Sequence, residues 1–135
     1  MNIISFSAEA QAPAGYFIMQ LVNPIEIEFN KLYAEKYSNC GLSNIFIVFI
    51  CTGKELQENG FYKERVYIAR KKKYADIRLC VDYMDFMEAD HSQRRYLIWN
   101  TISKALNLLV AKNACCRIPE LLLDLHSLFF SDATE

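Results

Sequence analysis

The eight residues Asn44–Cys51, reading NIFIVFIC, constrain this chain more than any other stretch. β-Branched and aromatic side chains fill both faces of whatever element they form, and the apolar run within them stretches unbroken from Ile45 to Cys51. A strand buried on both faces fits that length and chemistry. A membrane span does not, because it needs about 20 apolar residues. Such a strand belongs in the middle of a sheet, so the rest of the chain must supply neighbouring strands and a covering layer.

Candidate neighbours follow from local pattern. Ile3–Glu9 alternates loosely and suits a first strand. Between Lys63 and Tyr83 the period becomes two: Val66 and Ile68 alternate with Arg65, Tyr67 and Ala69, and Ile77, Leu79 and Val81 alternate with Asp76, Arg78, Cys80 and Asp82. Lys71–Lys73 lies between these runs and reads as the basic turn of a hairpin. Alternation of this kind places one sheet face inward and one in water, as antiparallel sheets do. Ala10–Gly15 reads as a loop and Thr52–Gly60 as another, while Tyr16–Val22 fits either a strand or the approach to a helix. At Asn23-Pro24-Ile25-Glu26 a cap, a first-turn proline and a capping-box acid predict a helix start. That helix carries Ile25, Phe29, Leu32 and Tyr33 on one face and should stop near Ser38–Gly41. Asp90 and Gln93 repeat the capping logic for a helix to about Lys112, with Ile98, Ile102, Ala105, Leu106 and Leu109 as its buried stripe, widened by Tyr96 and Trp99. Pro119 opens a last helix bearing Leu122, Leu125, Leu128 and Phe129. The order β, α, β, β-hairpin, α, α predicts an α+β domain over 1–135, an antiparallel sheet of about four strands with helices on one face.

Composition removes several classes of function. With 53% apolar and 23% charged residues the chain can offset its ordering entropy, so disorder is excluded. The net charge of −1 is too weak to hold nucleic acid by counterion release, unless a local basic patch does so. Five cysteines, at 40, 51, 80, 115 and 116, are an odd number, and Met1–Phe6 lacks the pattern of a secretory signal. The expectations are therefore reduced thiols and a cytoplasmic location, with Cys51 and Cys80 as core residues. Vicinal Cys115-Cys116 lacks further Cys or His at ligand spacing, so no metal is expected.

Catalysis finds no support. His91 and His126 are far apart in the chain and read as a helix-start and a surface histidine. Phosphate loops, dinucleotide fingerprints, zinc-protease helices and nucleophile elbows are all missing from the sequence. No cofactor is implied.

Charge comes in blocks instead. Residues 63–75 hold six Lys/Arg and one acid, and residues 76–92 hold five acids and one Arg. The basic block, with Tyr62, Tyr67 and Tyr74 interleaved, resembles a nucleic-acid surface, although lysines on a hairpin also discourage edge-to-edge sheet pairing. In the acidic block Asp90 reads as a cap. Asp82, Tyr83, Asp85 and Glu88 either solvate a strand–helix connection or form a recognition surface for a basic partner.

Three segments carry a family resemblance: Phe6-Ser-Ala-Glu9, the helix Ile25-Glu-x-Glu-Phe-Asn-Lys-Leu32, and Ala75-Asp-Ile-Arg-Leu-Cys-Val-Asp-Tyr-Met-Asp-Phe-Met-Glu-Ala-Asp90. With the amphipathic helix after Asp90 they resemble small bacterial immunity proteins of polymorphic toxins, including those of contact-dependent growth inhibition. The resemblance implies stoichiometric neutralisation of the C-terminal domain of a cognate toxin, an RNase or DNase, by blocking its active site or substrate path. It implies no enzyme activity, no membrane partner and no direct nucleic-acid contact. Carboxylates that imitate phosphate make Glu9, Asp82, Asp85 and Glu88, with Tyr83 as contact, the expected toxin-facing set. The alternatives are a small RNA-binding module using the basic hairpin around residues 63–74, and a small enzyme whose histidines and acids converge on folding.

Overall fold

In a computed structural model of the protein the described residues are 2–38, 41–42, 44–52, 66–111 and 117–130. The elements are β1 (Ile4–Ala10), α1 (Ala14–Tyr33), β2 (Asn44–Cys51), β3 (Val66–Arg70), β4 (Tyr74–Cys80), α2 (Tyr83–Glu88), α3 (His91–Ala111) and α4 (Ile118–Phe129). The strands form one open sheet in the order β1-β2-β4-β3, with the apolar run of β2 inside it as expected, although it is not buried on both faces: Phe46 is exposed and Val48 half-buried.

The α+β class, the four strands and the helices on one face agree with the sequence, but the strand directions do not. Only β3 and β4 are antiparallel, and β2 runs parallel to both β1 and β4. The reason lies in α1, which begins at Ala14 and keeps Asn23 and Pro24 in its interior rather than at its start. Twenty helical residues extend about 30 Å, enough to return the chain to the level at which β1 began, so β2 sets off in the same direction. An interior proline costs a helix about 3 kcal/mol. Ile18, Leu21 and Val22, all upstream of Pro24, are buried on the stripe that continues through Ile25 and Phe29. Each contributes about 1.5–3 kcal/mol on burial, which outweighs the proline. Tyr16–Val22 is thus helix. Regular α1 stops at Tyr33 and turns follow to Ser38, with Gly41 at the expected positive φ of 86°.

Because the Ile45 N–H donates to the Ile3 carbonyl and the Gln11 N–H to the Cys51 carbonyl, the odd residues of β1 bond β2 and the even ones face outward. Side chains of α1 occupy part of that edge. The Asn30 amide accepts from the Ile4 N–H at 3.0 Å and donates to the Ile4 carbonyl at 2.7 Å, and Glu26 accepts from the Phe6 N–H. This half of the edge is closed to strand addition.

One sheet face carries Ile4, Phe6, Ile45, Ile47, Phe49, Ala75, Ile77 and Leu79 into a core completed by α1, α3 and α4. The α3 stripe is the predicted one, except that Tyr96 points to solvent. The opposite sheet face is not fully covered, because Phe46, Tyr67 and Tyr74 remain exposed on it. The hairpin turn closes with the Lys71 N–H donating to the Tyr74 carbonyl at 2.8 Å. Residues 53–60 of the expected polar loop, Cys40 and the Cys115-Cys116 pair lie outside the described residues. Cys51 and Cys80 are buried in the thiol form.

Candidate functional site

The segment after β4 folds into a short helix where only a connection was expected, and this helix builds the most distinctive surface. Asp82 caps α2 by accepting from the Asp85 N–H at 2.9 Å. Phe86, one turn later, is buried in the core and anchors the helix. At the other end Arg94 reaches back from α3, its Nε donating to the Phe86 carbonyl at 2.9 Å and a terminal nitrogen to the Met87 carbonyl at 3.2 Å. The same guanidinium lies 4.6 Å from the Phe17 ring centre and 5.1 Å from that of Phe86, so it ties α2 to α1 and α3 together. The capping box is present: the Gln93 N–H donates to Asp90 Oδ1 at 2.8 Å, and the Asp90 N–H donates to Gln93 Oε1 at 3.0 Å.

These restraints hold an open cleft of about 440 Å³ between α2 and α3, lined by Asp85, Glu88, Gln93, Tyr96, Leu97 and Asn100. Asp85 and Glu88 stand three residues apart on the α2 wall, and no ion pair among the described residues engages either one. Tyr96 is 57% exposed and Met84, beside the carboxylates, is 59% exposed. Two solvated carboxylates flanked by two exposed apolar anchors are the makings of a recognition surface.

Of the residues singled out in the sequence, Asp85 and Glu88 thus share one cleft. Asp82 is spent on capping, and Tyr83 is half-buried against the core. Glu9 is exposed at the end of β1, in register with Ile50, which is itself in register with Cys80. It therefore lies at the same end of the sheet as Asp82 but two strands away, about 10 Å by strand spacing. The Cys51 thiol is pushed up to about 11, by burial first and the nearby Asp82 charge second. Tyr96 and Met84 were missed because helical spacing assigned Tyr96 to the buried stripe, and nothing local marked Met84.

A second polar cluster joins α4 to the end of α1. The phenol of buried Tyr37 donates to Asp124, Lys36 Nζ lies 2.8 Å from Asp124 and 3.1 Å from Glu120, and Arg117 pairs with Glu120 at 3.0 Å. Arg117 also donates to the Lys36 carbonyl and lies over the Tyr37 ring. Burial alone would raise the Asp124 carboxyl, but hydrogen bonds from Lys36 and Tyr37 hold it below its ordinary range. Glu120 is lowered by Lys36 and Arg117, Lys36 is raised by Asp124, and burial followed by the Asp124 bond pushes the Tyr37 phenol well up. Positive and negative groups balance here, which suits a structural clamp.

The histidines do not meet in an acidic cleft. His91 lines a pocket of about 240 Å³ with Arg94 and Arg95 and no carboxylate, whereas His126 packs between the Trp99 and Phe130 rings. Among the described residues no three His, Cys, Asp or Glu side chains are grouped to hold a metal ion, and no helix is long and apolar enough to cross a membrane.

Compared with models of protein families, residues 2–129 match the one described as immunity protein 44. No curated protein and no solved structure matches the chain.

Proposed function

The chain belongs to the immunity protein 44 family and has the toxin-neutralising role of an immunity protein, and from that premise we propose how it acts: by binding alone, without turnover, in the cytoplasm, on a cognate nuclease domain. The toxin is delivered by a polymorphic system such as contact-dependent growth inhibition, and the immunity protein blocks its active site or substrate path. Nucleases hold phosphate with cationic surfaces, and carboxylates presented in their place compete for the same contacts.

The observation that carries this reading is the pair Asp85 and Glu88, engaged in no ion pair among the described residues and set beside Tyr96 on a braced cleft, with Met84 exposed on the same helix. Bracing matters because a surface already ordered loses less entropy on binding. Glu9, Asp82 and Tyr83 belong to the proposed toxin-facing set at the same end of the sheet, Glu9 by its charge, Asp82 by holding α2, and Tyr83 by its partial exposure.

Co-expression with a cognate toxin domain tests the reading, and cell death despite soluble, folded immunity protein would refute it. The surface is tested by Asp85→Lys and Glu88→Lys, which should slow association with the toxin at least ten-fold at low salt. Unchanged association rates would move the interface elsewhere.

A further inference from the structure

We infer that the sheet face bearing Phe46, Tyr67 and Tyr74 is a second binding surface, separate from the acidic cleft, and that it takes a single-stranded polynucleotide. In the sequence the basic hairpin reads first as a solvated edge guard and only second as a nucleic-acid surface. Folding adds what spacing cannot certify, namely that Tyr67 and Tyr74 share a face. On β4, Tyr74, Asp76 and Arg78 alternate away from the buried Ala75, Ile77 and Leu79. Register places Val48 and Tyr67 on either side of Arg78, and Phe46 beside Asp76. The Tyr74 ring meets the Phe46 ring edge-on at 5.8 Å. Tyr67 is 49% exposed, and Tyr74 and Phe46 are each 37% exposed. Guarding an edge needs lysines and no uncovered aromatic rings.

Beside the Tyr67 ring lies a groove of about 450 Å³ lined by Val48, Tyr67, Ala69, Lys71, Asp76 and Arg78. Arg70, Lys73 and Arg78 have interactions within the chain, so phosphate contacts are assigned to the exposed Lys71 and Lys72. Tyr67 and Tyr74 lie four register steps apart, about 13 Å along the strands, the reach of two nucleotides of an extended strand. Rings spaced along a sheet with cations at one end are the combination that holds single strands, the bases stacking and the backbone tracking the charge. A helical duplex cannot present its bases to a flat face in this way, and an acidic peptide has no use for the rings.

Fluorescence anisotropy with labelled oligouridylate and oligothymidylate of about twelve nucleotides tests this, using the full-length protein at about 20 mM and about 200 mM salt. Affinity should fall steeply with salt, and the RNA and DNA arms show whether the sugar is read. Tyr67→Ala and Tyr74→Ala keep the charge and should each weaken binding about ten-fold, whereas Tyr67→Phe should not. Lys71→Gln with Lys72→Gln should flatten the log–log salt dependence by about 1.4. Asp76→Asn removes a negative charge from the groove and should tighten binding. No binding at low salt overturns the proposal. So does an unchanged affinity in the tyrosine variants with folding intact by circular dichroism, and so does equal binding of poly-glutamate, which would mark a general polyanion or acidic-protein surface. Because no toxin is present, failure here leaves the neutralisation reading standing.

Discussion

Tyr37 and Asp124 are 87 positions apart in sequence and share one hydrogen bond, which makes them a direct test of what holds α4 to the rest of the fold. Tyr37→Phe removes the hydroxyl and keeps the ring, which stacks on Phe29 at 5.7 Å. Asp124 keeps Lys36 at 2.8 Å in that variant. The loss is then one hydrogen bond to a charged acceptor, about 1.5 kcal/mol, at the low end of its range because the Asp124 side chain is 22% exposed. Asp124→Ala should cost more, about 2–3 kcal/mol, because the buried phenol keeps its donor and loses its acceptor. The solvent-screened Lys36 pair adds little. The double variant leaves no phenol without an acceptor, so it should cost less than Asp124→Ala alone, about 1.5 kcal/mol, a coupling of about 2–3 kcal/mol. Urea unfolding followed by circular dichroism measures all four proteins, and each kcal/mol corresponds to roughly 3–5 °C in Tm for a chain of this size. Additive losses, within about 0.5 kcal/mol and with unchanged m-values, would refute the bond as a source of stability.

Four further outcomes follow. Asp124 and Glu120 are held below their ordinary values of 3.8 and 4.5 in the folded chain, so the clamp's contribution is full above about pH 5 and is lost as pH falls through the folded values; the drop in urea midpoint between about pH 7 and about pH 2.5 should shrink in Asp124→Asn. Asp90→Ala removes the acceptor for the Gln93 N–H and should lower stability by about 1 kcal/mol, measured by thermal melting. Arg94→Ala frees two α2 carbonyls and uncovers the Phe17 and Phe86 rings; hydrogen exchange should rise across residues 83–89 well before it rises in α3. Pro24→Ala allows the missing i→i−4 bond inside α1 and should raise Tm, and a fall would mean that the surrounding packing depends on the proline ring.

The parts of this fold that were legible in the sequence are those whose cause lies within a few residues. NIFIVFIC forms a strand because its own side chains favour a pleated, apolar setting. The alternation on either side of Lys71–Lys73 forms the hairpin. Asp90 with Gln93 starts α3 because each side chain reaches the other's backbone N–H, and Ile98, Ile102 and Leu109 are buried because helical spacing puts them on one face. Pro24 shows the limit of such reasoning: its local meaning is a helix start, and only the buried stripe upstream makes it an interior residue.

At the candidate site the sequence marked an acidic run and could not sort its members. Asp82, Asp85 and Glu88 look alike as a string. The packing of Phe86 turns the run into a helix, commits Asp82 to its cap and leaves Asp85 and Glu88 facing Tyr96.

By itself, then, the sequence determined most of the strands and helices and the charge blocks they carry, but not the start of α1, the existence of α2 or the exposure of Leu32 and Tyr96, because propensity, period and capping act only between near neighbours. Only the tertiary structure decided the parallel directions of β1, β2 and β4, the clamp from Tyr37 to Asp124, and which exposed groups share a surface. Those depend on where a twenty-residue helix returns the chain and on which side chains the assembled core has room to bury.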